Sequence, residues 1–174
     1  SGNKDIPGPF IKNQGESLKD NGIDVHYFFV KGKGIFGYLK NVPKLRHEIK
    51  KNGYNIIHAH YTHSGWLALL TFSGIPVILS FMGSDVYGSV DSQGRPLFKG
   101  RVNYCLSKLI QPFVKQIIVK SKNLSSYVYI KHKMDTIPNG VNFETFRPID
   151  KYTARHKIDL VSKKKQILFF FVSG

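Results

Sequence analysis

The segment Tyr54–Gly88, YNIIHAHYTHSGWLALLTFSGIPVILSFMGSDVYG, constrains the fold more than any other part of the chain. Two short apolar runs, Ile56–Ala59 and Val77–Phe81, read as buried strands, and Ser64–Ser73 reads as the helix between them. Strand, helix, strand is a parallel crossover, and such units place their chemistry in the loops beyond the carboxyl ends of the strands. His58, His60 and His63 lie at or just past one such end; Gly83, Ser84 and Asp85 lie past the next. Strand alternation puts His58 and His60 on one face. Polar groups from two neighbouring strand ends can therefore meet in one crevice.

The rest of the chain alternates in the same way, without repeats. Phe10–Asp20 has helical spacing and stops at Asn21-Gly22. Ile23–Val30 reads as a strand, and Tyr38, Leu39, Val42, Leu45 and Ile49 mark an amphipathic helix that Pro43 kinks or starts. Further on come a helix over about Phe98–Phe113, a strand Gln116–Val119, a short helix capped by Ser121, a strand at Thr136-Ile137 and a turn at Pro138–Val141. The expected fold is α/β, a Rossmann-like parallel sheet with helices on both faces. The opening SGNKDIPGPF has the character of a loop entering a helix, and in a doubly wound sheet the strand feeding that loop is central. The apolar run Ile167–Val172 is expected to fill that position, in its own molecule or by exchange, or to begin a second domain. The expected division is therefore 1–148, the Rossmann-like domain, and 149–174, an interdomain segment with the terminal strand.

Composition narrows the partners. The chain has 174 residues, 41% of them hydrophobic, which suits one domain with a real core. The single cysteine, Cys105, excludes an internal disulfide and a cysteine metal cluster, and its neighbours Val102, Leu106 and Leu109 predict a buried thiol. No apolar run reaches membrane-spanning length and no leader is visible, so the expectation is a cytoplasmic protein, peripheral at most to the inner face of the membrane. The net charge of +15 comes from 26 basic against 11 acidic residues, with Lys far outnumbering Arg. Scarce Arg argues against base-reading nucleic-acid recognition and for anionic membrane surfaces or phosphate-bearing substrates.

In order and spacing, GPFIKNQGESL (Gly8–Leu18), NIIHAHYTHSG (Asn55–Gly65), PVILSFMGSDVYG (Pro76–Gly88), IIVKSKNLSSYV (Ile117–Val128) and IPNGVNFETFRP (Ile137–Pro148) resemble the N-terminal half of a retaining, nucleotide-sugar-dependent GT-B glycosyltransferase of the bacterial polysaccharide and glycolipid group. The resemblance implies an acceptor-side domain facing a C-terminal domain that binds a UDP-, GDP- or similar sugar as co-substrate, with no cofactor and no protein-bound metal. The acceptor would be a saccharide or lipid-linked sugar. The carboxylate pair and basic residues of the donor domain have no counterpart in the chain, so by itself it would be inactive. Asn139 and Gly140 would form the interdomain hinge.

Site residues follow residue by residue. Gly8, between two prolines, would let a ligand approach the backbone at a helix start, or simply form a rigid turn. Asn13 lies in that helix's first turn. His60 resembles the family position near the acceptor cleft, with a loop-fixing hydrogen bond as the alternative; His63 is a lesser candidate, and His58 suits a satisfied structural role. Ser84 and Asp85 would bind sugar hydroxyls or cap a helical turn. Where many relatives carry a histidine before that glycine, this chain has Met82, whose thioether cannot do acid–base work. Three clustered histidines without a supporting carboxylate make a metal site a poor fit. The competing class is a non-catalytic basic module for anionic membranes or nucleic acid.

Overall fold

The computed structural model describes residues 7–32, 34–88, 93, 95, 97–144 and 146–160. Backbone contacts divide the chain into two compact units, Ser1–Gly140 and Val141–Gly174.

The first unit is built on a four-stranded parallel sheet in the order β1-β2-β3-β4, with β1 Ile57–His60, β2 Val77–Phe81, β3 Gln116–Val119 and β4 Met134–Thr136. Ala59 pairs with Leu79, Leu79 with Ile117, and Ile117 with Met134, so residues of one parity line one face across the sheet. This face is dry: Leu79, Phe81, Ile117 and Val119 are fully buried against Ala68, Ile110 and Val114. Each large apolar side chain so buried contributes roughly 1.5–3 kcal/mol.

Helix α4, Thr62–Leu69, is the crossover between β1 and β2, starting two residues before the sequence expectation. Gly65 lets it sit close: a Cβ there would lie 2.7 Å from Ile110 Cδ1 and 3.0 Å from Leu79 Cδ1. The indole N–H of Trp66 donates to the Leu106 carbonyl at 3.2 Å, tying α4 to α5, Phe98–Ile110. Helix α5 buries Gly100, Ser107 and Ile110, a stripe that leaves Cys105 and Leu109 exposed. The expected buried thiol is thus corrected: small residues, not the larger apolar ones, face inward where α5 packs.

Helix α1, Pro9–Asp20, and α3, Val42–Asn52, match the periodicity, and Pro43 sets the first turn of α3 rather than kinking it. Gly53 ends α3 at φ 66°, a left-handed position that glycine takes without penalty. Between them lies the short α2, Gly34–Leu39. Buried Asn41 donates to the Lys31 carbonyl at 2.8 Å and the Gly37 carbonyl at 2.5 Å, pinning α2 to the segment before it.

That preceding segment corrects a second expectation. Residues 23–30 join no ladder. Their alternation is real: Val25, Tyr27 and Phe29 are half-buried between exposed Asp24, His26 and Phe28. The Tyr27 hydroxyl donates to Glu16 Oε1 at 3.3 Å, the His26 ring meets Tyr54 edge-on at 5.4 Å, and Val30 packs on the Leu45–Ile49–Leu67 cluster. Period-two burial reports an extended chain on a surface; a strand also needs a paired neighbour, and periodicity says nothing of that. The run Ile167–Val172, expected to supply a neighbour, lies outside the described residues.

Beyond β3, Ser121 accepts from the Leu124 amide at 3.2 Å and caps α6, Lys122–Ser125; a 3-10 turn, Lys131–Lys133, leads into β4. Residues 138–141 form no hydrogen-bonded turn, correcting the turn expected there. In the second unit Asp150 accepts from the Thr153 amide at 3.0 Å and caps α7, Lys151–Lys157. Among the described residues no helix is long and apolar enough to cross a membrane.

Candidate functional site at the strand ends

The parity that buries Leu79 on one face sends His58, His60, Ser80 and Ile118 to the other, and Lys120, just past β3, continues that row. The rings of His58 and His60 stack with centroids 4.6 Å apart and planes 25° from parallel. His58 Nε2 shares a 2.8 Å hydrogen bond with Ser80 Oγ. His60 Nδ1 is buried without a hydrogen-bond partner. Burial pushes both imidazoles down to about 4, helped by the Lys120 charge and, for His60, by His58. Burial lowers the Lys120 ammonium as well. Both rings are therefore neutral at pH 7, beside a cation that disfavours their charging.

Between His60 and α4 the backbone is strained. Tyr61 has φ 71° and ψ 148°, close to a region that is nearly glycine-only. Three contacts hold it: its amide donates to the Ser80 carbonyl at 3.0 Å, its carbonyl accepts from the Gly65 amide at 3.1 Å, and the next amide, Thr62, donates to Asp85 Oδ2 at 3.0 Å. Strain of this kind costs about 1–3 kcal/mol and persists only when the surroundings over-determine it.

Asp85 supplies much of that determination. It is 5% exposed, and its Oδ2 also accepts from Thr62 Oγ1 at 3.1 Å while Oδ1 accepts from the Met82 and Gly83 amides, both at 3.1 Å. The carboxylate thus fastens the β2 loop to the start of α4. Neighbouring Ser84 is exposed, and the loop turns through bonds from the Val86 and Tyr87 amides to the Gly83 carbonyl, both 2.9 Å.

The remaining sequence candidates are spread out. His63 contacts the Tyr38 ring at 5.4 Å and lines an apolar groove of 170 Å³ with Ile35, Leu39 and Trp66. Gly8 caps α1 with φ −54° and ψ 152°, a conformation open to any residue, and a Cβ there would meet only the Phe10 ring at 4.0 Å. Asn13 is exposed on α1. Asn139 and Gly140 are exposed, and the first unit ends at Gly140. Among the described residues no three His, Cys, Asp or Glu side chains gather as a metal ion would require. A larger cavity of 440 Å³ lies at the opposite, amino ends of β2 and β3, lined by Phe72, Ile75, Phe113 and Lys115 among others; it lacks the histidines and the strained junction. Lys120, Ser80, Tyr61 and Thr62 are the site residues that sequence reasoning passed over. Strand parity pointed at Ser80, but only the register places Lys120 in line with it.

A crevice of polar groups at the carboxyl ends of a parallel Rossmann-like sheet is the architecture of one half of a GT-B glycosyltransferase. The family description "glycosyl transferase 4-like" matches residues 10–121, and the chain belongs to that family. Sucrose-phosphate synthase from Thermosynechococcus elongatus shares the fold at 18% identity and a TM-score of 0.65, over 87% of this chain and 46% of that one. A second structure of that synthase, of a shorter chain, matches at 17% identity and a TM-score of 0.54, over 78% of this chain and 87% of the other. A glycosyltransferase from Rickettsia africae matches at 19% identity and 0.51, over 90% and 40%. The chain thus spans less than half the length of the first and last of these, and the likeness to all three is one of fold. No curated protein sequence matches it.

Proposed function

We propose that the chain is the acceptor side of a retaining, nucleotide-sugar-dependent glycosyltransferase acting in polysaccharide or glycolipid assembly. A second α/β domain would hold the UDP- or GDP-type donor, and an acceptor hydroxyl would attack the anomeric carbon and release a nucleoside diphosphate. The observation that carries this reading is the His58–His60 pair beside the strained Tyr61 junction, at the strand ends of a glycosyl transferase 4-like domain. In it His60 touches the acceptor, Asp85 acts as a positioning residue by locking the β2 loop onto Thr62, and Ser84 offers an exposed hydroxyl to the sugar. Gly8 and Asn13 border the same cleft, His63 lies behind it on the α4 side, and Asn139 and Gly140 form the hinge. No cofactor or metal enters the scheme. The test is a nucleotide-sugar transfer assay with the full protein and a panel of saccharide and lipid-linked acceptors, with the anomeric configuration of the product read by NMR. Absence of transfer from every donor, or an inverted anomeric centre, overturns it.

A second observation favours attachment to an anionic membrane surface. Helix α2 presents Ile35, Phe36 and Leu39 at 58%, 79% and 45% exposure, flanked by exposed Lys40 and Lys44 in a chain of net charge +15. An apolar tip ringed by lysines suits the headgroup boundary of an anionic bilayer. It would bring a lipid-linked acceptor to the enzyme, and it carries over to a non-catalytic membrane module if no transfer is found.

A further inference from the structure

The crevice holds more positive potential than a neutral sugar needs. Two imidazoles, one serine hydroxyl and one ammonium share a single sheet face at the ends of three adjacent strands. The acids around them are already committed. Asp85 has both oxygens engaged by Thr62, Met82 and Gly83, and Asp135 of β4, on the same face toward the amino end, accepts from Gln116 Nε2 at 2.6 Å. Among the described residues no carboxylate balances Lys120 or supports either histidine. His60 Nδ1 adds a buried ring nitrogen without a partner, an arrangement that leaves a desolvated polar atom unsatisfied at a cost of about 1–3 kcal/mol.

We propose that His58, His60, Ser80 and Lys120 form a pocket for a phosphate group carried by the acceptor. This rests on the reading of the chain as the acceptor side of a glycosyltransferase. A phosphate oxygen beside His60 Nδ1 satisfies the orphan nitrogen once the ring carries a proton there. Lys120 supplies a point charge, and the Ser80 hydroxyl, in contact with His58, supplies a further donor. The anion reverses the local electrostatics. It offsets the desolvation that holds the rings neutral, so phosphate binding draws protons onto the histidines, and affinity rises as pH falls toward 6. The groups facing the rings in this account are Ser80 from β2, Lys120 from β3 and the Asp135–Gln116 pair from β4 and β3.

The experiment uses the protein with its histidines isotopically labelled, titrated with glucose 6-phosphate, glucose, glucuronate and uridine diphosphate while the imidazole signals are followed against pH. Glucose 6-phosphate is expected to bind at least about tenfold more tightly than glucose or glucuronate, and to raise the titration midpoints of His58 and His60 by a unit or more. Lys120→Met and His60→Gln are each expected to reduce that preference to near equality. Equal binding of glucose and its phosphate, unmoved histidine signals, or a preference surviving both variants overturns the proposal. A response to uridine diphosphate alone overturns it too, by assigning the phosphate to the donor. If a variant fails to fold, the unsubstituted protein's histidine titration decides. Transfer onto unphosphorylated acceptors with silent histidines sinks this inference while leaving glycosyl transfer intact; phosphate binding without transfer from any nucleotide-sugar does the reverse.

Discussion

The two faces of the sheet share one backbone ladder and differ in almost everything else. On one, Leu79, Phe81, Ile117 and Val119 are sealed under α4 and α5, and Gly65 removes the last side chain that would hold those layers apart. On the other, the alternate residues of the same strands bring two stacked histidines, a serine and a lysine to the strand ends, with one ring nitrogen unpaired. The first arrangement lowers the free energy of the fold. The second raises it through desolvation, an unsatisfied atom and a strained Tyr61, and the dry face is what makes that tolerable. Stability and site are thus separated by side-chain parity rather than by distance along the chain, and the separation can be tested by striking each face in turn.

The dry face should give the largest effect. Leu79 is fully buried at the centre of the sheet, so Leu79→Ala is expected to cost about 2–5 kcal/mol in urea unfolding. A loss under about 1 kcal/mol would mean that the packing is loose and the contrast between the faces overstated. At the boundary between them, Asp85→Ala leaves the amides of Thr62, Met82 and Gly83 without their acceptor, at an expected cost of about 2–3 kcal/mol. That variant should also loosen the loop. If transfer is measured, KM for the acceptor is expected to rise with the donor KM unchanged, whereas a purely structural role would shift only the unfolding midpoint.

The polar face should declare itself through pH. His58 and His60 are held near 4 in the folded protein and return to about 6.5 on unfolding. Above pH 6.5 both states are neutral and there is no penalty. As pH falls from 6.5 toward 4 the unfolded chain takes up protons that the folded one refuses, so stability drops, by a few kcal/mol in total, and levels off below 4. Unfolding free energy measured between pH 7 and 4 should show this slope. The double variant His58→Asn with His60→Asn should flatten it; a slope unchanged in that variant would place the acid sensitivity elsewhere.

Much of this contrast was legible in the sequence. Ile56–Ala59 and Val77–Phe81 announce buried parallel strands because continuous apolar runs have few other uses at that length, and alternation alone put His58 and His60 on one face. What stayed hidden depended on register and partners. Lys120 joins the site because Ser80 pairs with Ile118, a fact of spacing between strands that no single strand encodes. Asp85 gave no sign that four donors would consume its oxygens. Ile23–Val30 has the alternation of a strand and no ladder, because burial period and backbone pairing are separate requirements. Cys105 and Leu109 misled for a related reason: helix α5 packs closely, so glycine and serine were the residues that fitted inward.

The smallest effect on stability is expected farthest from either face, at α2. Phe36 is 79% exposed, so Phe36→Asp removes little packing and should change unfolding free energy by no more than about 0.5 kcal/mol. Its effect on membrane attachment should be large for the same reason: an exposed phenyl ring is free to enter a bilayer boundary, and a carboxylate there meets both the hydrocarbon and the anionic headgroups unfavourably. Flotation with vesicles rich in phosphatidylserine or phosphatidylglycerol should recover the unsubstituted protein and lose the variant by about tenfold or more. Neutral phosphatidylcholine vesicles should recover neither, since the exposed lysines beside α2 contribute only against negative lipid. Equal flotation of variant and parent would show that the apolar tip stays dry of lipid and that the charge of the chain is spread over solvated surface. Loss of flotation together with a large loss of stability would instead show Phe36 to be part of the fold, contrary to its exposure, and the comparison of faces would then need a third packed region.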